Sequence, residues 1–431
     1  MTRRLPVIVL ASALVAAACS SEAATTTTTT APATTTTTPQ ATSTTTQPAA
    51  TPTTAKPALE IAWDGDEAAG TAVKALYTWL GDRTTSEPDV PQDLLDYLTD
   101  VHPDQSASIS GRFFSEVVED MGTAGVAVID DQDIMLLVDE GTGWRVVGAW
   151  FSQYDVEPWF GNPLRYVFVI GTDARPGEFQ KHLRADSLHI LASNIAERSG
   201  GVLGFPRDTY VEASYGADKF TNVNAAVFTL TCGRLTGATV DSCAEPDTGQ
   251  DEMVEIARDL SGLPLEGWIV TGFQGFQILV DAFGGVDVDV PFAMAEPKSQ
   301  AYLSAGLQTL FAVDALAFVR NRTITGGDFT RSFHHGIVML GALDGVLERG
   351  ITALPKLLSI LMDSTWTGLS LEDLLTVGAS ALLLDPDLVG NDVLPGAITT
   401  RGGASIVDLT DEAEVMFRDM DDGSLSLRPE E

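Results

Sequence analysis

The chain has 431 residues, 44% of them apolar, enough to bury one large core or two smaller ones. Its 60 acidic residues against 25 basic ones leave a formal charge of -35, which excludes a nucleic-acid binder and a surface that adheres to anionic lipid by charge. Cations gathered on such a background therefore point to a local task.

At the N-terminus, Arg3 and Arg4 precede the apolar run Leu5 to Ala18, and residues 1–18 read as a secretory signal with a small-residue cleavage site. The run is too short to span a membrane as a stable helix, so removal is expected. The segment Ala16-Ala17-Ala18-Cys19 resembles the lipobox of bacterial lipoproteins, which implies that Cys19 carries an acyl anchor and that the protein sits outside the cell membrane, tethered to it. Cys232 and Cys243 are close enough to pair, and an export compartment permits the bond. Closing so short a loop contributes roughly 3 kcal/mol in the chain-entropy model. Three Cys and five scattered His offer no zinc site. Residues 19–57, rich in Thr with Pro, Ala, Gln and Ser, carry too little apolar surface to offset their ordering entropy, and are expected to form a disordered tether. About thirty such residues reach on the order of 100 Å at full stretch.

Residues 58–158 follow as a small α+β accessory domain. Helical periodicity covers Glu67 to Leu80 and Gln92 to Leu98, and strand-like runs cover Gly125 to Ile129, Ile134 to Val138 and Trp144 to Phe151. No catalytic constellation stands out within it. Asn162-Pro163 then punctuates the chain. Tyr166 to Ile170, Leu188 to Ala192 and Gly201 to Phe205 are predicted strands, Phe273 to Phe283 a helix stopped by Gly284-Gly285, and Val286 to Val290 a further strand. Alternation of strand and helix predicts an α/β domain over residues 162–420, with a mixed β-sheet flanked by helices. Residues 421–431 are an acidic tail.

One cluster in that domain carries chemistry. The apolar run Ala315 to Val319 ends in Arg320-Asn321-Arg322, and as a strand it would aim both guanidinium groups the same way. Two adjacent cations repel unless an anion lies between them. Gly326-Gly327 then turns the chain into a helix on which Asp328, Arg331 and His335 share a face. Taken singly, each Arg could pair with one of the many carboxylates. Taken as a set, they read as a site for a doubly charged phosphate.

The motifs also fall in a familiar order. Val169-Ile170-Gly171-Thr172-Asp173-Ala174-Arg175, Arg184-Ala185-Asp186-Ser187, Phe205-Pro206-Arg207-Asp208-Thr209-Tyr210-Val211, Asn224-Ala225-Ala226, Val280 to Val286, Ala315 to Arg322 and Gly327 to Arg331 resemble the LytR-CpsA-Psr family of bacterial cell-envelope proteins, from about Asn162 to Asp419. The resemblance implies transfer of a glycopolymer from a polyprenyl pyrophosphate carrier onto peptidoglycan, leaving a phosphodiester link. It implies Mg2+ on Asp173 and Asp186, a pyrophosphate clamp of Arg207, Arg320, Arg322 and Arg331, and Asp328 as a further acid at the site. Lys219 resembles a family Lys, although two extra residues separate it from Asn224. His334-His335 stands where the family usually has Arg-Gln, and His335 joins the pyrophosphate-binding set as a hydrogen-bonding residue without a permanent charge. Thr229 to Thr248 looks like an insertion beside the site.

Such a transfer needs charge neutralisation, an aligned hydroxyl and a carboxylate to take its proton, for which both Asp186 and Asp328 stand as candidates. Catalytic roles are thus expected for Asp186, Asp328 and Arg207. The apolar faces at Phe273, Phe276, Leu279 and Val280, and at Ile337, Leu340 and Leu343, read as core by themselves; the resemblance makes them a lipid tunnel. Two rival readings are a lipoprotein that binds polyprenyl pyrophosphate or wall glycan without transferring it, and a polyprenyl-pyrophosphate pyrophosphatase.

Overall fold

The computed structural model describes residues 59–101, 108–154, 156–175, 178, 181–212, 216–232, 247–321 and 324–426. Cys19, Cys243 and Arg322 lie outside them, as do the signal segment, the whole tether and the end of the tail.

The chain opens with β1 (Glu60–Asp64), α1 (Glu67–Gly81) and α2 (Gln92–Leu98), followed by β2 (Ser108–Val118), β3 (Gly122–Ile129), β4 (Asp133–Asp139) and β5 (Arg145–Trp150). The Asp66 carboxylate accepts hydrogen bonds from the Ala68 and Ala69 amides, both at 2.9 Å, and so starts α1. β1 to β5 form one sheet in chain order, β1 parallel to β2 and the rest antiparallel. The strands β1 and β2 were not expected from the sequence, because polar residues that face outward interrupt their apolar ones. One face of the sheet, with Ile129, Met135 and Leu137, packs on Val73, Leu76 and Leu94 of α1 and α2.

Beyond it come β6 (Leu164–Thr172), β7 (Ala185–Asn194), β8 (Ser199–Gly204), α3 (Phe220–Cys232), α4 (Thr248–Ser261), β9 (Gly267–Thr271) and α5 (Phe273–Ala282). A hairpin lobe follows: β10 (Val286–Val290), β11 (Met294–Glu296), β12 (Ala301–Leu303), β13 (Gly306–Leu310), then α6 (Ala312–Arg320) and α7 (Asp328–Leu347). The chain ends with α8 (Leu354–Met362), β14 (Trp366–Thr367), α9 (Leu371–Ala381), β15 (Val389–Val393), β16 (Gly396–Arg401), β17 (Ala404–Leu409) and α10 (Asp411–Asp419).

The central sheet is mixed and six-stranded, in the order β14-β9-β6-β7-β8-β15. β6 runs parallel to β9 and antiparallel to β7, so the ends of β6 and β9 and the start of β7 meet at one edge. Strand alternation sends Tyr166, Phe168 and Ile170 to a core shared with Phe205, Phe220 and Trp268, where the rings of Phe168, Phe205 and Phe220 lie within 6.1 Å of one another. Val169, Gly171, Ser187 and His189 face the other way, toward α5 and α7.

The run Ala315 to Val319 is helical, which corrects the strand expected for it. The helix starts three residues earlier, at Ala312, and buries Ala312, Ala315, Ala317, Phe318 and Val319 while Val313 and Asp314 stay exposed. Read as five residues, an apolar run fits either periodicity; the extra turn decides. α6 ends at Arg320, and Arg322 lies outside the described residues.

Candidate active site

A cavity of about 520 Å³ opens at the edge where β6, β7 and β9 meet. Gly171, Thr172 and Asp173 of the β6 end, Asp186 and Ser187 of β7, and Thr271 and Gly272 at the end of β9 form one side. The register of β7 shifts there: Gly171 pairs with Ser187 and Thr172 with Ala185, leaving Asp186 as an extra residue. A bulge re-aims side chains. It lets the consecutive residues Asp186 and Ser187 both reach the cavity, which regular alternation would forbid.

The helices across from it supply most of the apolar lining: Phe273 and Phe276 of α5, Leu316 and Val319 of α6, and Val338 and Met339 of α7, with Glu296, Lys298 and Ser299 of the hairpin lobe adding polar groups. Of the other apolar residues considered from the sequence, Val280 lies in the hairpin-lobe core and Ile337 packs against that core, while Leu279, Leu340 and Leu343 are not on the cavity wall.

Cations stand at the junction of the two sides. Arg320, at the end of α6, lines the cavity with its guanidinium 4.6 Å from the centre of the Phe273 ring, a cation–π contact at a helix C-terminus that favours positive charge. Arg331 reaches it from the first turn of α7. That helix begins at Asp328, behind Gly326 and Gly327 with φ of 87° and 57°, values that glycine tolerates. The sequence spacing is realised: Asp328, Arg331 and His335 share a face of α7.

Ion pairs tie these groups together. Arg207 Nη1 lies 2.7 Å from Asp186 Oδ1, and its Nε lies 3.4 Å from Asp328 Oδ2. Arg331 Nη2 lies 2.6 Å from Asp328 Oδ1. Burial alone lowers the pKa of Arg207, but the charges of Asp186 and Asp328 outweigh it and hold the guanidinium above its ordinary value. Arg207 Nε and Asp328 Oδ2 are buried without a well-formed hydrogen bond. Neither residue lines the cavity, so Arg207 and Asp328 stand behind Asp186 and Arg331, which do.

Asp173 closes the β6 end and is paired with Arg184 at 2.9 Å; both line the cavity. Lys219 stands off the wall, on Asp208 at 2.8 Å, and Asp208 in turn is 3.7 Å from Arg207 Nε. His334 turns away and stacks on Phe318 at 4.5 Å, whereas His335 lines the cavity. Burial first, and then the neighbouring His189, Arg331 and His334, hold His335 well below the usual imidazole range, so it is neutral at physiological pH. Cys232, at the end of α3, is disulfide-bonded. Ser187 on the wall, with His189 and Ser332 behind it, forms a hydrogen-bonded set that the sequence reading missed.

Residues 162–420 match the LytR_cpsA_psr family. The chain belongs to that family. Among its relatives, the cell wall biosynthesis protein LcpA of Corynebacterium glutamicum is 30% identical over 221 residues, 46% of this chain and 43% of that protein. The polyisoprenyl-teichoic acid–peptidoglycan teichoic acid transferase TagV of Bacillus subtilis is 27% identical over 168 residues, 37% and 38% of the two chains. This LytR_cpsA_psr chain thus matches less than half the length of either relative. Its fold is similar to the crystal structure of B. subtilis TagV, with a TM-score of 0.47 and 21% identity over 62% of this chain and 100% of that one. It is also similar to TagT bound to LI-WTA, with a TM-score of 0.46 and 20% identity over 61% and 92%.

Proposed function

We propose that the chain transfers a glycopolymer from a polyprenyl pyrophosphate carrier to a hydroxyl of peptidoglycan, outside the cell membrane, leaving a phosphodiester link and releasing polyprenyl phosphate. The observation that carries this reading is the linked array Asp186–Arg207–Asp328–Arg331, set with Arg320 where a polar wall meets an apolar one. An amphiphile with an anionic diphosphate head and a greasy tail has that same division. The names of the transferase relatives agree with the reaction class.

Arg320 and Arg331 would grip nonbridging oxygens of the diphosphate as planar forks, and Arg207, held cationic by two carboxylates, would sit behind them. Their charge opposes what builds up on the departing polyprenyl phosphate. The apolar wall from Phe273 to Met339 would take the first isoprene units and exclude water from the phosphorus.

Asp173 and Asp186, two carboxylates on the wall of one cavity, would hold a magnesium ion. Mg2+ binds through one or two carboxylates with substrate phosphate and water completing its shell. When bound, it would supply Lewis-acid neutralisation of the diphosphate.

The test is transfer by the full chain from lipid-linked glycan to peptidoglycan with Mg2+ present. Arg320→Ala and Arg331→Ala are expected to abolish product, and unchanged product in both would contradict the reading. Omitting peptidoglycan separates transfer from hydrolysis: a transferase stalls, while a pyrophosphatase releases polyprenyl phosphate. The proposed anchor has its own check, because Cys19→Ala should shift the protein from the membrane to the medium.

A further inference from the structure

His189 has no obvious reason to be polar. It is wholly buried in β7, a strand otherwise filled by Leu188, Ile190 and Leu191. Its Nε2 lies 3.0 Å from the carbonyl oxygen of Ser332 on α7, and its Nδ1 lies 3.1 Å from Ser187 Oγ. A carbonyl only accepts, so Nε2 carries the proton and Nδ1 presents a lone pair. The Ser187 hydroxyl must then donate to Nδ1. Its oxygen lone pairs are left facing the cavity that Ser187 lines.

That orientation discriminates between ligands. A phosphate oxygen brings no proton and gains nothing from an acceptor, whereas an incoming sugar hydroxyl can donate to it. The surrounding fold makes room for the pair: a Cβ on Gly171 would come within 2.8 Å of Ser187 Cβ, and one on Gly204 would overlap Ser332 Oγ and stand 3.0 Å from His189 Nε2. Both glycines lie opposite the dyad in register, Gly171 beside Ser187 and Gly204 beside His189. The two nearby carboxylates, by contrast, are already committed to guanidinium groups.

We propose that Ser187 and His189 form the proton relay that activates the acceptor hydroxyl, a role that rests on the transfer reaction above. The hydroxyl oxygen forms a bond to the phosphorus bearing the glycan, and the bond from that phosphorus to the bridging oxygen breaks. The hydroxyl proton passes to Ser187 Oγ while the Ser187 proton passes to His189 Nδ1. The pair then returns by the same route, and the proton leaves on the released polyprenyl phosphate. Burial lowers His189 to about 4, so the imidazole is neutral in the free protein with its Nδ1 lone pair on the Ser187 hydroxyl, and the negative charge of a bound diphosphate offsets the desolvation that disfavours its protonated form. Ser187 touches the acceptor and is catalytic, and His189 positions it and stores the proton.

The experiment uses the full chain with Mg2+, lipid-linked glycan and two acceptors, peptidoglycan and trifluoroethanol, whose acidic hydroxyl needs little base assistance. Ser187→Ala and His189→Gln are expected to lower kcat toward peptidoglycan by about a hundredfold or more, with KM for the lipid substrate changed by less than about twofold. Toward trifluoroethanol, both should retain most of the wild-type rate. Ser187→Ala removes one hydroxyl, so it keeps the test open should His189→Gln fail to fold. A wild-type rate toward peptidoglycan in Ser187→Ala would overturn the relay, as would equal losses with both acceptors or a phosphorylated Ser187 recovered from the reaction. A wild-type chain that transfers to neither acceptor would overturn the transfer reading and the relay with it.

Discussion

Arg207 shows why residue type matters more than charge at this site. Its Nη1 meets Asp186 and its Nε meets Asp328, an arrangement that a guanidinium can span and a lysine ammonium cannot. Arg207→Lys should therefore cost at least about tenfold in transfer, despite the conserved charge, and a steady-state assay reads it directly. Buried imidazoles set a second residue-scale property. His182, His189 and His334 are all held at about 4, chiefly by burial, against an ordinary 6.5. The folded protein keeps them neutral while the unfolded chain takes up protons near 6.5, so stability is complete above that pH and falls as pH drops toward 4. Each can remove up to about 3 kcal/mol, and Tm measured from pH 7.5 down to 5 should decline steeply. His182 is the cleanest case: it stacks on Phe228 at 4.0 Å, and neither ring nitrogen has a hydrogen-bond partner among the described residues. His182→Phe keeps the stacking and removes the proton, so it should raise Tm at pH 5 by roughly a few degrees and leave it nearly unchanged at pH 7.5.

At the scale of elements, α7 carries Asp328, Arg331 and His335 and is seated against the β10 backbone through Gly341, where a Cβ would overlap the Asp287 carbonyl oxygen. Alanine gains about 1 kcal/mol in helix propensity over glycine, but overpacking against a backbone costs typically 1–3 kcal/mol and should win. Gly341→Ala is expected to lower Tm and to weaken binding of a polyprenyl pyrophosphate probe, because the helix that sets Arg331 is displaced. Elements differed in how far the sequence announced them. The strands β6, β7 and β8 were legible from continuous apolar runs, and the α7 face from i, i+3 and i+7 spacing. α6 was misread since its central five residues suit a strand as well as a helix. The bulge at Asp186 was invisible for a different reason: it is a property of the pairing between β6 and β7, and no single strand encodes it. His189 looked like an ordinary strand residue until Ser332 arrived beside it from far along the chain.

On the scale of the whole molecule, the first sheet and the family region share a core. Val126, Leu136 and Val138 of the first sheet cluster with Leu354, Leu358, Leu371 and Leu375 of α8 and α9. Arg145 pairs with Glu372 at 2.9 Å, and Arg165, 4% exposed, is held by Glu266, the Phe160 carbonyl and Thr376. Removing residues 1–158 would expose that apolar face, so the truncated chain should aggregate or show a markedly lower Tm, checked by size-exclusion chromatography and thermal unfolding. The cavity, by comparison, was foreseeable only in part: the acids and arginines could be named from motifs, but the division into a polar and an apolar wall depends on where α5, α6 and α7 land. That division is the central claim, and one labelling experiment tests it most directly. Lipid-linked glycan carrying radioactive phosphorus next to the sugar is given to the full chain with Mg2+ and peptidoglycan. The label should enter the peptidoglycan as a phosphodiester and fail to do so with Arg320→Ala; label that stays on the lipid, or appears as free glycan phosphate, would contradict the account.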